Sequence, residues 1–264
     1  MAEQLVVEVI SVGNELLTGR VVNTNASWIA DRVTRLGGVV KRVTAVGDDI
    51  TDSSRVIAEA LARRPKLIVL TGGLGPTFDD RTLESLSVAV GVPLEVNLEA
   101  LRMVEEKYGG EVTPPRFKMA RLPRGSKPLY NPLGTAPGAM LDVDGTIVVA
   151  LPGVPSEMKA MFELHVEPLL AQLVKEAAYT FRVVRIKGLE ESSLAPIIDE
   201  VMRLHRAVYV KSHPKREPEM YLEVEVSCRA SSLSEAESHV QEACETLKKL
   251  ASQAGAQAED TSTR

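Results

Sequence analysis

The stretch KLIVLTGGLGPTFDD, Lys66 to Asp80, constrains the fold of this chain more than any other. Its first half is an almost continuous apolar run. Such a run belongs to a strand buried on both faces, the situation of an interior parallel strand. Its second half carries three glycines and a proline into two aspartates, a strand-to-helix turn. A strand covered on both sides needs helices above and below, and the neighbouring sequence supplies them. LVVEVISV (5–12) reads as a first strand ending at Gly13. TNASWIADRVTRLGG sets Ala26, Ile29, Ala30, Val33 and Leu36 on one helical face, stopped by Gly37 and Gly38. VVKRVTAVGDD is a second strand, TDSSRVIAEALARRP a second helix ended by Pro65, and a third helix carries Leu83, Leu86 and Val90. This alternation implies mostly parallel strands with crossover helices, hence a three-layer α/β/α sandwich.

Farther along, a helix is expected near 97–109. The runs GAMLDV and TIVVALPG flank Asp144-Gly145, a tight-turn signal, and read as a hairpin. SEMKAMFELHVEPLLAQLVKEA is a long helical pattern with a bend expected near Pro168. The pattern then changes to β-α-β-β-α, a small α+β domain. The expected division is 1–175, 178–252 and a frayed polar tail at 253–264, with hinges near Ala177 and Gly188. At 264 residues the chain is long enough for one mid-sized domain and a small one. Aromatic residues are only 4%, so the cores must rest on Val, Leu, Ile and Ala.

Charge and cysteine usage narrow the function classes. A formal charge of −5 disfavours a protein built to coat nucleic acid or an anionic membrane. Residues 182–216 run against this balance, with eight Lys/Arg and four Asp/Glu. A β-α-β-β-α unit invites comparison with KH modules, but the GXXG loop that KH binding needs is missing there. The loop KSHPKREPE therefore reads as a solvated turn, and nucleic acid is not the expected partner. Cys228 and Cys244 form no CxxC pattern, and none of the four histidines has metal-ligand spacing, so a structural zinc site is not expected. The first apolar run is too short for a signal peptide or membrane span, and a reduced, cytoplasmic setting follows.

In an open parallel sheet, ligands bind beyond the carboxyl ends of the strands. Three such ends are readable: SVGNELLTG with Gly13, Asn14 and Glu15; VGDD with Asp48; and TGGLGPTFDD. At the third, Gly72, Gly73 and Gly75 let main-chain N–H groups approach a ligand, and the following helix offers its positive end; together these favour phosphate. Thr77-x-x-Asp80 also fits a plain capping box. That role leaves Asp79 and the number of glycines without a purpose. Carboxylates beside an anion repel it unless a cation intervenes, and Mg²⁺ is held by one or two carboxylates plus ligand phosphates. Asp48, Asp79 and Asp80 thus point to a metal–phosphate site, with Asp48 and Asp80 as the metal residues. Each of these acids also has a reading as a solvated side chain or cap. NPLGTAPGAM with Asn131, Gly134 and Thr135, and LPGVPSEM with Pro152, Gly153 and Glu157, are two further loops. Each serves equally as a rigid turn, and Glu157 as a complement to the next helix dipole.

In this order, GNELLTG, VGDD, TGGLGPTFDD, NPLGTAPG and LPGVPSEM resemble the N-terminal domain of the CinA (competence/damage-inducible) family, within the molybdopterin-binding superfamily of the MoaB and MogA type. The segment from 178 resembles the small middle domain of the same proteins, with IKGLEESSL as its clearest echo. The resemblance implies a phosphorylated ligand: ADP-ribose, another nucleotide, or a pterin such as molybdopterin. For the CinA branch it implies divalent-metal-dependent cleavage of ADP-ribose to AMP and ribose 5-phosphate. The alternative is a non-catalytic molybdopterin or nucleotide binder. Full-length relatives add a nicotinamide-nucleotide amidase domain, which is not expected here. Carried over by position, Gly72, Gly73, Gly75 and Thr77 cradle phosphate. Asp48, Asp79 and Asp80 hold metal or orient water, and Asn14, Glu15, Asn131, Thr135, Pro152 and Glu157 enclose the ligand. Arg81 either pairs with phosphate or sits in the first helical turn. A homo-oligomer, in the simplest case a dimer, is expected.

Overall fold

Strand KLIVLT lies inside a six-stranded sheet, in a computed structural model that describes residues 4–110, 112–174, 178–216 and 220–261. The chain divides into two units, Met1–Val174 and Lys175–Arg264. The first runs β1 (Val6–Val12), α1 (Asn14–Leu17), α2 (Thr24–Arg35), β2 (Val39–Val46), α3 (Ile50–Ala62), β3 (Leu67–Thr71) and α4 (Thr82–Val90). It continues with β4 (Leu94–Val96), α5 (Leu98–Lys107), α6 (Pro114–Lys118), β5 (Arg121–Pro123), β6 (Lys127–Leu129), β7 (Gly138–Val143), β8 (Thr146–Leu151), α7 (Pro155–Met161) and α8 (Glu167–Leu173).

The sheet order is β2-β1-β3-β8-β7-β6. β2, β1, β3 and β8 are parallel, and β7 and β6 add antiparallel pairings at one edge. Side-chain alternation along β3 explains the double coverage. Leu67 and Val69 join a core with Ile29 and Val33 of α2, Met158 and Met161 of α7, and Leu170 of α8. Ile68 and Leu70 point the other way, to Ile57 of α3, Leu86 of α4 and Val104 of α5. The outcome is the expected α/β/α sandwich. The β7–β8 hairpin closes through Asp144 (φ 51°) and Gly145 (φ 85°), the left-handed pair of a type I′ turn. The long helical run after it is broken as Pro168 requires. Proline cannot donate to the carbonyl four residues back, and a π turn at Phe162–Val166 separates α7 from α8. α3 stops at Ala62, short of Pro65, and Arg63 turns to grip Glu8, which is 2% exposed in the middle of β1. The grip is bidentate, at 2.8 and 2.6 Å, which makes a buried carboxylate tolerable.

The second unit runs β9 (Ala178–Lys187), α9 (Glu191–Leu204), β10 (Val208–Lys215), β11 (Tyr221–Ala230), α10 (Leu233–Gln253) and β12 (Gln257–Thr261). Its sheet is wholly antiparallel, in the order β10-β11-β9-β12, the split β-α-β plan of ferredoxin-like folds. Val184, Ile186, Val224 and Val226 pack with Leu194 and Val201 of α9 and Val240 and Leu247 of α10. The tail expected to fray instead contributes β12. Gln257–Thr261 pairs with the outer edge of β9, Thr261 Oγ1 donates to Val183 O at 2.8 Å, and Lys248 holds Asp260 at 2.8 Å. Gly188, one expected hinge, follows β9 with φ 89°. Ala177, the other, lies outside the described residues. Among the described residues no helix is long and apolar enough to cross a membrane.

Candidate functional site

The carboxyl ends of β1, β2, β3 and β8 open together onto a cleft of about 400 Å³. From the β1 end it is lined by Gly13 and Glu15, from the β2 end by Asp48, and from the β3 loop by Gly72, Gly73, Gly75, Thr77, Asp79 and Asp80. Thr135 comes from the Pro/Gly loop, and Pro152, Gly153 and Glu157 from the turn after β8. Asn14, Asn131 and Gly134 stand beside the lining residues and bond to or pack on them. Asn14 pairs with Asp48, its N–H donating to Asp48 Oδ2 at 3.1 Å while its Oδ1 accepts from Asp48 N–H. Asn131 is 2% exposed. Its Oδ1 accepts from the N–H groups of Leu133 and Gly134, and its Nδ2 donates to Ala136 O and to Glu157 Oε2 at 2.8 Å. Gly134 lies directly under that carboxylate, since a Cβ there would fall 1.9 Å from Glu157 Oε2. Asn131 thus fixes both the loop and Glu157, and Tyr108 steadies Thr135 through a 3.2 Å hydrogen bond.

The glycines of the β3 loop divide into two kinds. Gly72 (φ 98°) and Gly73 (φ 61°) are required by the backbone. A Cβ on Gly72 would sit 2.1 Å from Val12 O, and one on Gly73 2.5 Å from Thr82 Oγ1. Gly75 faces only the Asp80 carboxylate. Along this loop Gly72 N–H donates to Leu151 O and Thr77 N–H to Asp80 Oδ2. Between them, the N–H groups of Gly73, Leu74 and Gly75 have no acceptor among the described residues.

The capping box takes a different form from the one expected. α4 starts at Thr82, five residues beyond Thr77, with Arg81 as its N-cap. Asp80 Oδ2 accepts from both the N–H (2.9 Å) and the hydroxyl (2.6 Å) of Thr77, while Asp80 N–H returns to Thr77 O. The pair closes a loop ahead of the helix. The helix itself is tied down by Thr82, whose hydroxyl and N–H bind Gly72 O (2.7 Å) and Gly73 O (3.1 Å). Arg81 pairs with Glu84 in the first turn at 3.2 Å. Asp49 is the N-cap of α3, accepting from Asp52 N–H at 2.9 Å.

The electrostatics are those of a carboxylate cluster with Lys118 beside it. Burial pushes the Asp48 carboxyl above its ordinary value. The Asn14 N–H opposes that, and the charges of Glu15, Asp79 and Asp80 push it farther up. Asp79 is held below its ordinary value, chiefly by the Thr77 hydroxyl. Lys118, at the end of α6, donates to Thr77 O and is held below the usual lysine range by burial, against the pull of Asp80, Glu84 and Asp79. Neither Lys118 nor Thr82 was singled out in the sequence. Lys118 arrives from a Pro-started five-residue helix with no local mark of function. Thr82 carries no motif signal either. No group of three or more His, Cys, Asp or Glu among the described residues is arranged to hold a metal. A hard cation that takes one or two carboxylate oxygens here and completes its shell with ligand phosphates and water needs no such group. Asp48 and Asp80 both line the cleft.

A model of the probable molybdopterin binding domain matches residues 8–172. The chain belongs to this molybdopterin-binding family. Protein PAE0875 of Pyrobaculum aerophilum is 47% identical over 249 residues, covering 92% of each chain. A protein of Sulfolobus acidocaldarius is 39% identical over 260 residues, covering 96% of this chain and 97% of its own. Among solved structures, the CinA protein of Thermoplasma acidophilum, described as of unknown function, shares 42% identity with a TM-score of 0.60, covering 63% of this chain and 98% of that one. The molybdopterin-binding unit is therefore CinA-like, and the sheet-end cleft is the feature around which its five loop motifs gather.

Proposed function

We propose that the chain binds a phosphorylated ligand of the pterin or nucleotide class in the cleft at the carboxyl ends of the sheet. One observation carries the reading: Gly73, Leu74 and Gly75 line the cleft, and their three successive N–H groups have no acceptor among the described residues. Backbone donors left without partners at a ligand-sized cavity favour an anion that accepts from several of them at once. Asp48, Asp79 and Asp80 oppose a bare phosphate, so the ligand enters as a divalent-cation complex, with Asp48 and Asp80 holding the ion. The bound ion would supply charge neutralisation across the phosphates.

Hydrolysis of ADP-ribose is a second reading, and the Asp48 carboxylate favours it. Burial, and after it the charges of Glu15, Asp79 and Asp80, raises its affinity for a proton, which suits a general base. In this reading Asp80 and the phosphates would hold the ion, a water oxygen would attack one phosphorus of the pyrophosphate, the bridging P–O bond would break, and Asp48, not bound to the ion, would take the proton from water. Calorimetric titration of molybdopterin, AMP and ADP-ribose with and without Mg²⁺, followed by chromatography of the mixtures, tests both readings. Binding that requires Mg²⁺ is expected, and AMP release adds the catalytic function. No binding of any phosphorylated compound would overturn the proposal. Release of AMP undiminished by Asp48→Ala would remove Asp48 as base.

A further inference from the structure

Both helices of the second unit, α9 and α10, pack on one face of its sheet, over Val184, Ile186, Val224 and Val226. The alternate residues of the same strands form the other face, which carries neither helix. Its centre is partly apolar: Val183 and Phe181 are half-buried, and the Phe181 ring lies 6.2 Å from that of Tyr179.

The strand register sets the charges of this face in order. His213, Glu223, Arg185 and Glu259 stand side by side across β10, β11, β9 and β12. Arg185 is thus flanked by two acids, yet among the described residues it forms no ion pair. Its guanidinium lies over the Tyr221 ring at 4.6 Å, and Glu223 reaches Lys215 at 3.6 Å. A nucleic acid would meet Glu223, Glu225 and Glu259 as well as the cations, and its phosphates would be repelled.

A second copy of the face meets no such conflict. A two-fold axis parallel to the strands, midway between β11 and β9, lays β11 of one copy over β9 of the other. Each residue of these strands then faces its own cross-strand neighbour in the second copy. Glu223 lies over the partner subunit's Arg185, and this happens twice, once on each side of the axis. Packed sheets cross at about 30°, which displaces the edges and leaves the rows near the centre matched.

We propose that two copies of the chain associate through this sheet face, with Glu223 and Arg185 as reciprocal ion pairs across it. Four strands about 4.8 Å apart and the length of β9 give the face a plane of about 500 Å². A standard specific interface takes about 800 Å² from each partner, so a dissociation constant of about 1–100 μM is expected.

Sedimentation of the full chain over a range of concentrations tests this. Arg185→Glu and Glu223→Arg are each expected to weaken self-association about a hundredfold, because each sets like charges against one another twice across the axis. An equimolar mixture of the two variants is expected to recover to within about tenfold of wild type, since every reversed charge then faces its opposite. A role within one chain cannot produce that recovery, because in either variant the like charges stay side by side. Arg185→Gln and Glu223→Gln add no like charge to the sheet, and each is expected to weaken association about tenfold even if a reversal prevents folding. If another surface also pairs copies, the reversals should halve the assembly instead of leaving monomers. Association unchanged by the glutamine variants, or a mixture no better than its components, would overturn the proposal. So would a wild-type chain that stays monomeric up to about 1 mM. Binding of a single-stranded oligonucleotide that Arg185→Gln abolishes would assign the face to nucleic acid instead.

Discussion

Asp48 concentrates the physics of the site in one side chain. The carboxyl is held above its ordinary value of 3.8, first by burial and then by Glu15, Asp79 and Asp80. The folded protein thus binds this proton more tightly than the unfolded chain does. Any stability linked to the group is fully present below the unfolded value and is lost as pH rises through the raised folded value. At neutral pH the ionised carboxylate is a cost to the folded state. Asp48→Asn keeps an oxygen that can accept from Asn14 N–H. The variant is expected to melt higher than wild type at pH 7 in metal-free buffer, with the advantage fading as pH falls through the raised folded value toward 3.8. Equal melting temperatures at pH 7, or an advantage that persists at low pH, would refute this. The acids were legible as candidates because they end strands in a parallel sheet, a position with chemical meaning in any such fold. The supporting roles of Asn14, Asn131 and Gly134 were not. Whether an amide faces a ligand or braces a loop depends on contacts made across tens of residues, such as Asn131 with Glu157.

Among elements, the β3–α4 loop shows what a motif conveys and what it conceals. Three glycines in TGGLG look equivalent in the sequence, yet the structure separates them. Gly72→Ala would force a Cβ against Val12 O at a positive φ, and no side-chain movement relieves a clash with backbone. Overpacking and left-handed strain together predict a loss of about 2–4 kcal/mol, read from denaturant midpoints. Gly75→Ala meets only the Asp80 carboxylate, which can swing aside. Its stability should stay within about 1 kcal/mol of wild type, while Mg²⁺-pyrophosphate binding weakens as Asp80 leaves Thr77. Similar stability losses for the two variants would contradict the distinction. The strands, the I′ hairpin and the interruption before Pro168 were readable because apolar periodicity, Asp-Gly and proline act locally. A capping box at Thr77 would start α4 near that residue, whereas the helix begins at Thr82. Thr77 and Asp80 bond each other as a capping pair would, but the chain turns helical only where Thr82 is stapled to Gly72 and Gly73, a contact made after the loop folds back.

At the scale of the whole molecule, the two units have separate cores, and β12 shows how a sheet can recruit a segment that no pattern marks. QAEDT has no apolar alternation, and its composition reads as a frayed end. An edge strand needs none, because backbone hydrogen bonds to β9 and a few end contacts suffice to hold it. Without β12, β9 would present an unpaired edge, and both the Lys248–Asp260 pair and the Thr261 hydroxyl bond would be lost. A chain ending at Ala254 is expected to show a second-unit melting transition displaced downward, while the transition of the first unit stays in place because its core loses no contact. Hydrogen exchange supplies the residue-level reading: amides within Val183–Lys187 that pair with β12 should exchange markedly faster, and those of β3 should not change. If the truncated chain melts as the full chain does, β12 adds nothing to the stability of its sheet.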